Sequence, residues 1–300
     1  METQKSNLFL VVLILGAGFL MLFAFLFVFL FAMIGVESDF SGFKTKDAIG
    51  VIEVFDVIED SLPILDQIDD FAKDDSIAAI VLRVDSPGGA VGPSQEIYRE
   101  LMKLRGEKTV AVSMGSVAAS GGYYIACAGE RVFTAPGTLT GSIGVIVESA
   151  YLEELMQTIK IKPLVYKSGE HKDMLSPFRK MTESDEAIIN DVIRDVHEQF
   201  VSDVAQARGM TPEALKPYAD GRIMTGAQAK ELGLVDEFGS FRDAVEYLAE
   251  KEGLGSDPEL VYPRKEPITY IEELFRSAAH GLMRAMSGSV HPTVQTRVGR

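Results

Sequence analysis

From Ser6 to Val36 the chain carries no charged residue. Leu8-Phe-Leu-Val-Val-Leu-Ile-Leu15 leads into Phe23-Ala-Phe-Leu-Phe-Val-Phe-Leu-Phe31. This run exceeds the ~20 residues that span a bilayer and the ~7–15 residues at the core of a cleaved signal peptide. It predicts a tail over 1–7, one uncleaved transmembrane signal anchor over 8–35 and a polar tether over 36–48. Lys5 precedes the span and Lys44 and Lys46 follow it, so charge hardly discriminates the orientation.

Beyond the tether the pattern alternates between strand and helix. Ile49-Gly-Val-Ile-Glu-Val-Phe55 reads as a first strand. Ile64, Leu65, Ile68 and Phe71 recur at helical spacing over 61–72, with Pro63 near the start. Ile77-Ala-Ala-Ile-Val-Leu-Arg-Val84 is a nearly continuous apolar run, as in a parallel sheet, and ends at the turn Asp85-Ser-Pro-Gly-Gly89. A helix over 94–104, a strand over 109–113 and a compact apolar helix over 123–128 follow. Short strands are expected at 131–134, after the glycine turn within 141–147, and at 164–167, with a helix over 151–159.

A long polar loop, 168–177, precedes the longest helix of the soluble part, 183–207. Thr182 and Asp185 form a capping box at its start, Gly209 ends it, and Ile188, Val192, Val196, Phe200 and Val204 make its apolar stripe. Short elements at 222–230 and 234–239 and a helix over 241–248 complete the pattern. This is the rhythm of an α/β fold, bounded at 49–250. Composition shifts near Gly253-Leu-Gly-Ser-Asp-Pro258. The extension, 251–300, carries Ile268, Ile271, Leu274, Phe275, Ala278, Leu282 and Met286 on one helical face. That face could meet a neighbouring subunit, a membrane or its own domain.

Composition narrows the picture. The 47% hydrophobic content of the 300 residues is inflated by the anchor. The single cysteine, Cys127, excludes an internal disulfide and reads as a small core residue. A net charge of −15 argues against nucleic acid as a partner.

The chemistry centres on Ser113-Met-Gly-Ser-Val-Ala-Ala-Ser-Gly-Gly-Tyr-Tyr124. Ser120 falls at a strand-to-helix junction, which aims a hydroxyl into a cleft and offers free helix N–H groups to a developing oxyanion. The same position suits a plain N-cap serine. His171, His197, His280 and His291 show no Ser-His-Asp context, and His171 reads as a solvated loop residue. No zinc-ligand spacing and no phosphate-binding glycine loop occurs. A serine nucleophile needs a base, and a neutral lysine can serve. Lys172, in the loop after the 164–167 strand, is the candidate; alone it reads as a surface lysine.

Five motifs stand in order: Asp85-Ser-Pro-Gly-Gly89, Ser113 to Tyr124, Leu139-Thr-Gly-Ser-Ile-Gly-Val145, Lys167-Ser-Gly-Glu-His-Lys-Asp173 and Asp220-Gly-Arg222. Together they resemble the bacterial signal peptide peptidases of the SppA type, in their short form, from about Ile49 to Leu248. The resemblance implies a Clp-protease/crotonase-like fold of repeated β-β-α units and serine endopeptidase activity on apolar peptides such as signal-peptide remnants. It implies Ser120 as nucleophile, Lys172 as general base, Ser142 as the hydroxyl orienting the lysine, and the Gly89 and Gly121 amides as oxyanion hole. It implies no metal or other cofactor. It also implies a homo-oligomeric ring sharing its sites between subunits, at the bacterial inner membrane with the domain outside the cytoplasm. The competing readings are a crotonase-type acyl-CoA enzyme, which would use carboxylates, and a non-catalytic membrane scaffold.

Overall fold

A computed structural model of the chain describes residues 47–263, together with Met21. Apart from Met21, the expected anchor lies outside the described residues, as does the amphipathic stretch from Ile268 onward. Among the described residues no helix is long and apolar enough to cross a membrane. The chain divides into units Met1–Lys44 and Thr45–Arg300, and the fold belongs to the second.

Three long strands build its centre: β1 (Ala48–Ile58), β2 (Ile77–Gly89) and β3 (Thr109–Ala119). Helix α1 (Leu62–Lys73) joins the first pair and α2 (Val91–Leu104) the second, and both pairings are parallel. Helix α3 (Gly121–Ala126) follows β3 directly. Next come β4 (Arg131–Thr134), β5 (Leu139–Gly141) and a short α4 (Glu153–Thr158). The long α5 (Glu183–Arg208) leads to α6 (Pro212–Leu215), β6 (Ile223–Thr225), α7 (Gly226–Glu231) and β7 (Glu237–Phe238). Helix α8 (Phe241–Glu252) and β8 (Glu259–Val261) close the described chain.

The result is a mixed α/β fold with one central sheet in the order β6-β5-β3-β2-β1-β8, with β4 on β3 and β7 on β4. β8 pairs with β1, so the sheet runs past the composition shift at 253–258. The first halves of the long strands are apolar without alternation because both faces are covered. Ile52, Ile80, Leu82 and Val112 meet α1, α2, α3 and the end of α5 on one side. Ile49, Val51, Val81 and Ala111 meet Ala244 and Leu248 of α8 on the other.

The strands change partners halfway. Register shifts fall at Phe55/Val57 and Val84/Ser86, and β3 pairs β4 through Ala111–Ser113 but β5 through Val117–Ala119. The expected turn at Asp85–Gly89 is therefore strand: Val57 pairs with Gly88 and Ile58 with Gly89. Asp56, skipped by the ladder, sits at φ 60°. A bulge of this kind absorbs the Pro and Gly that made the segment look like a turn.

Three further expectations are corrected. The strand near glycine 141 precedes it, as β5, rather than following it. Residues 164–167 form no strand; Leu164 and Tyr166 are 79% and 92% exposed and have no neighbour to pair with among the described residues. On α5 the capping box and the left-handed Gly209 are both present, but the stripe is buried only in its second half, at Phe200, Val201, Val204 and Ala205. Val192 is exposed, and none of residues 144–184 is buried. That stretch, with the first half of α5, forms an arm without an apolar core of its own.

Candidate active site

The apolar run of β3 carries the chain through the core and delivers Ser120 at its end, half-buried, with φ 52° and ψ −123°. A non-glycine residue there is strained by about 1–3 kcal/mol, and such strain collects at functional sites. Local hydrogen bonds fix the conformation: the Ser120 N–H donates to Gly141 O, and its carbonyl accepts from Tyr124 N–H, both at 2.9 Å. The hydroxyl makes no capping bond to α3, so the plain N-cap reading does not hold.

Ser142 lies next to it. Ala119 pairs with Gly141 across β3 and β5, and Ser142 follows with the same φ of 52°. Its N–H donates to Arg222 O at 2.9 Å, and Gly221 N–H donates to Ile143 O at 3.0 Å. The Asp220-Gly-Arg222 motif thus underpins this turn. Arg222 forks onto Asp220 at 2.7 and 2.6 Å, which holds the Asp220 carboxyl down at about 2.

The end of β2 closes on the same point. A Cβ on Gly121 would lie 2.5 Å from Ser94 Oγ and 3.2 Å from Gly89 N, and one on Gly88 would lie 2.5 Å from Gly121 N. Only glycines permit this approach, and Gly88 also requires its φ of +100°. The amides of Gly89 and Gly121 therefore adjoin beside Ser120. The Gly121 N–H, at the first position of α3, donates to no acceptor among the described residues.

Lys172 sits exposed on the arm, in the 3-10 turn Glu170–Asp173. Of the five expected site residues the fold gathers Ser120, Ser142, Gly89 and Gly121, and no hydrogen bond or ion pair ties Lys172 to them among the described residues. His171 is not a solvated loop histidine: its Nδ1 meets Asp185 Oδ1 at 2.8 Å. Sequence reasoning singled out Asp185 only as a helix cap, and it missed Arg179 and Asp173, which join the same cluster. The capping box was the available signal, since a buried N3 carboxylate has a second oxygen to satisfy.

Cys127 is buried behind Ser120, as expected, and burial pushes its thiol up to about 12. Cavities of about 850 Å3 beside α8 and about 830 Å3 near Arg83 contain neither Ser120 nor Lys172. Among the described residues no cluster of His, Cys, Asp and Glu could hold a metal ion.

The model of peptidase family S49 matches residues 102–255, more than half of the chain, and that of Clp protease matches residues 53–139. The chain belongs to peptidase family S49. The S49 match covers Ser120, Ser142 and Lys172, and the Clp protease match covers β2 and β3, which lead to Ser120. The Synechocystis sp. protein slr0021, provisionally named a protease, is 45% identical over 60% of this chain and 65% of its own length. A protein of Enterococcus faecium, provisionally named signal peptide peptidase SppA, is 37% identical over 63% of this chain and 56% of its own. Protease 4 of Salmonella typhi is 36% identical over 73% of this chain and 35% of its own. This S49 chain thus spans less than two thirds of the length of each of these relatives.

Proposed function

We propose that this S49 chain is a membrane-anchored serine endopeptidase that cuts apolar peptides, such as signal-peptide remnants, with Ser120 as nucleophile and Lys172 as base. The observation that carries the reading is the strained Ser120 beside the adjoining Gly89 and Gly121 amides. In the first step Ser120 Oγ attacks the scissile carbonyl and gives its proton to neutral Lys172 Nζ. The oxyanion takes hydrogen bonds from the two amides, which act where charge develops in the transition state. Nζ then protonates the leaving amine, and water, deprotonated by the same lysine, hydrolyses the ester on Ser120. Ser142 orients the lysine.

The exposed arm supports a site shared between two copies of the chain. Ile146, Leu164 and Tyr166 are 78%, 79% and 92% exposed, an apolar surface suited to cover by a neighbouring subunit. In such a ring, Lys172 of one copy reaches Ser120 of the next. On this reading residues 8–35 are the anchor, and the resemblance to the SppA type supports a domain outside the cytoplasm, close to apolar substrates at the membrane.

A phosphonate probe on the full-length chain tests the chemistry. It should label wild type at Ser120 and leave Ser120→Ala unlabelled. Lys172→Arg should be inactive, because a guanidinium stays protonated. Peptide hydrolysis by Ser120→Ala near the wild-type rate would remove the assignment. An acid limb that survives Lys172→Ala would point to His171 as base.

A further inference from the structure

The arm tip has no buried apolar residue, so something polar must fix the turn that carries Lys172. Asp185 is the one buried residue there, with its side chain 1% exposed. Its Oδ1 takes His171 Nδ1 at 2.8 Å, and its Oδ2 takes Arg179 Nη1 at 2.7 Å and the Thr182 N–H at 3.1 Å. The other prong of Arg179, Nη2, lies 2.8 Å from Asp173 Oδ1. Lys167 Nζ donates to the same Asp173 oxygen at 2.6 Å and to Glu170 O at 2.7 Å.

Both neighbours of Lys172, His171 and Asp173, are therefore tied inward to one Arg179–Asp185 pair at the start of α5. Side chains of a 3-10 turn project about 120° apart. With 171 and 173 held inward, residue 172 is left the outward direction, and it is exposed. The network holds the backbone on either side of the lysine while leaving its amine free of intrachain partners among the described residues.

We propose that Arg179 and Asp185, acting through Asp173 and His171, are positioning residues that present Lys172 to the active serine. The inference rests on the reading of Lys172 as base. A flexible lysine on an unbraced tip would sample many directions, and misplacing a reacting group by about 1 Å can cost about 10²-fold in rate. Arg179 suits the task because its rigid planar guanidinium donates through Nη1 to Asp185 while holding Nη2 in ion-pair range of Asp173, a fixed spacing that a flexible lysine does not set. Burial of Asp185 is tolerable only because each of its oxygens is partnered. These contacts hold its carboxyl well below the ordinary range, Arg179 first and His171 second.

The test uses the full-length chain, assembled in detergent micelles, with an apolar chromogenic tripeptide amide. Arg179→Ala should lower kcat by about 10²-fold with KM within about twofold of wild type, since the lysine moves while the serine cleft stays. Arg179→Lys should recover about tenfold of that loss by keeping one ion pair without the fork. A kcat for Arg179→Ala within about threefold of wild type overturns the proposal, as does a loss that falls on KM alone. If Arg179→Ala fails to assemble, Asp173→Asn decides by the same two readouts. Lys172→Ala is measured alongside. Full activity there removes the base itself, whereas an inactive Lys172→Ala beside a fully active Arg179→Ala removes only the brace.

Discussion

The ring of Tyr124 stacks on that of Phe200, with centroids 4.3 Å apart and planes 25° off parallel. Tyr124 stands in the helix that starts right after Ser120, and Phe200 in the buried half of α5. From Phe200 back to Asp185 the helix rises about 22 Å at 1.5 Å per residue. The contact thus fixes the base of the arm against the serine helix, while the tip stands off along α5. Tyr124 also bonds Asp203 one turn further on, and Tyr98 packs edge-on against the Tyr124 ring.

Phe200→Ala should therefore destabilise the domain by about 3–5 kcal/mol, the range for losing a buried aromatic side chain. Urea denaturation reads this as a lower midpoint at unchanged slope. An unchanged midpoint would mean that α5 is not seated on α3 as described.

Much of this fold was legible in the sequence, and the misses have physical causes. The continuous apolar run of β2 announced a buried parallel strand, the segment 109–113 announced the first half of β3, which runs on to Ala119, and the Thr182–Asp185 box with Gly209 fixed both ends of α5. Asp85-Ser-Pro-Gly-Gly89 misled because Pro and Gly signal a turn, whereas here they sit in a bulged strand end against Ile58. Leu164-Val-Tyr-Lys167 misled because β propensity describes fit to a neighbouring strand, and none pairs with it among the described residues. Of the site, Ser120, Ser142, Gly89 and Gly121 come together because β2, β3 and β5 end at one point. The bracing of Lys172 was not legible, since it joins Lys167, Asp173, Arg179 and Asp185 through a fold-dependent turn rather than through a motif.

The strain at Ser120 gives a second prediction. Glycine adopts φ 52° without penalty, whereas alanine keeps it. Both Ser120→Gly and Ser120→Ala should be inactive, but Ser120→Gly should be the more stable of the two by about 1 kcal/mol. Calorimetry compares them directly. Equal melting temperatures would show that the serine is not held against its own backbone preference.

Acid should loosen the arm before the core. Arg179, then Lys167, hold the Asp173 carboxyl at about 2, and Asp185 is lowered as well. A depressed folded-state value stabilises fully above the ordinary carboxylate value of about 3.9 and is lost as pH falls through the folded value. Between about pH 4 and pH 2 the turn Glu170–Asp173 should lose hydrogen-exchange protection, relative to intrinsic rates, while β2 and β3 keep theirs. Equal loss in arm and core would contradict an anchor made of these carboxylates.

The last prediction follows from the absence of any bond between Ser120 and Lys172 among the described residues of one copy. If each site draws its serine from one copy and its lysine from the next, two inactive proteins can complement. Ser120→Ala and Lys172→Ala are mixed equally and co-assembled at random. At each junction of a closed head-to-tail ring, the serine donor is intact half the time and so is the lysine donor. About a quarter of sites then regain both groups. If instead one chain supplied both groups, every site would keep one defect and the mixture would stay inactive. Helix length favours recovery: Tyr124 stacks on Phe200 at the arm's base, and Asp185, which binds the neighbour of Lys172, lies about 22 Å further along α5. Zero activity in rings shown by mass to contain both proteins would reject the shared site and leave the chemistry of Ser120 and Lys172 to an arm that folds back.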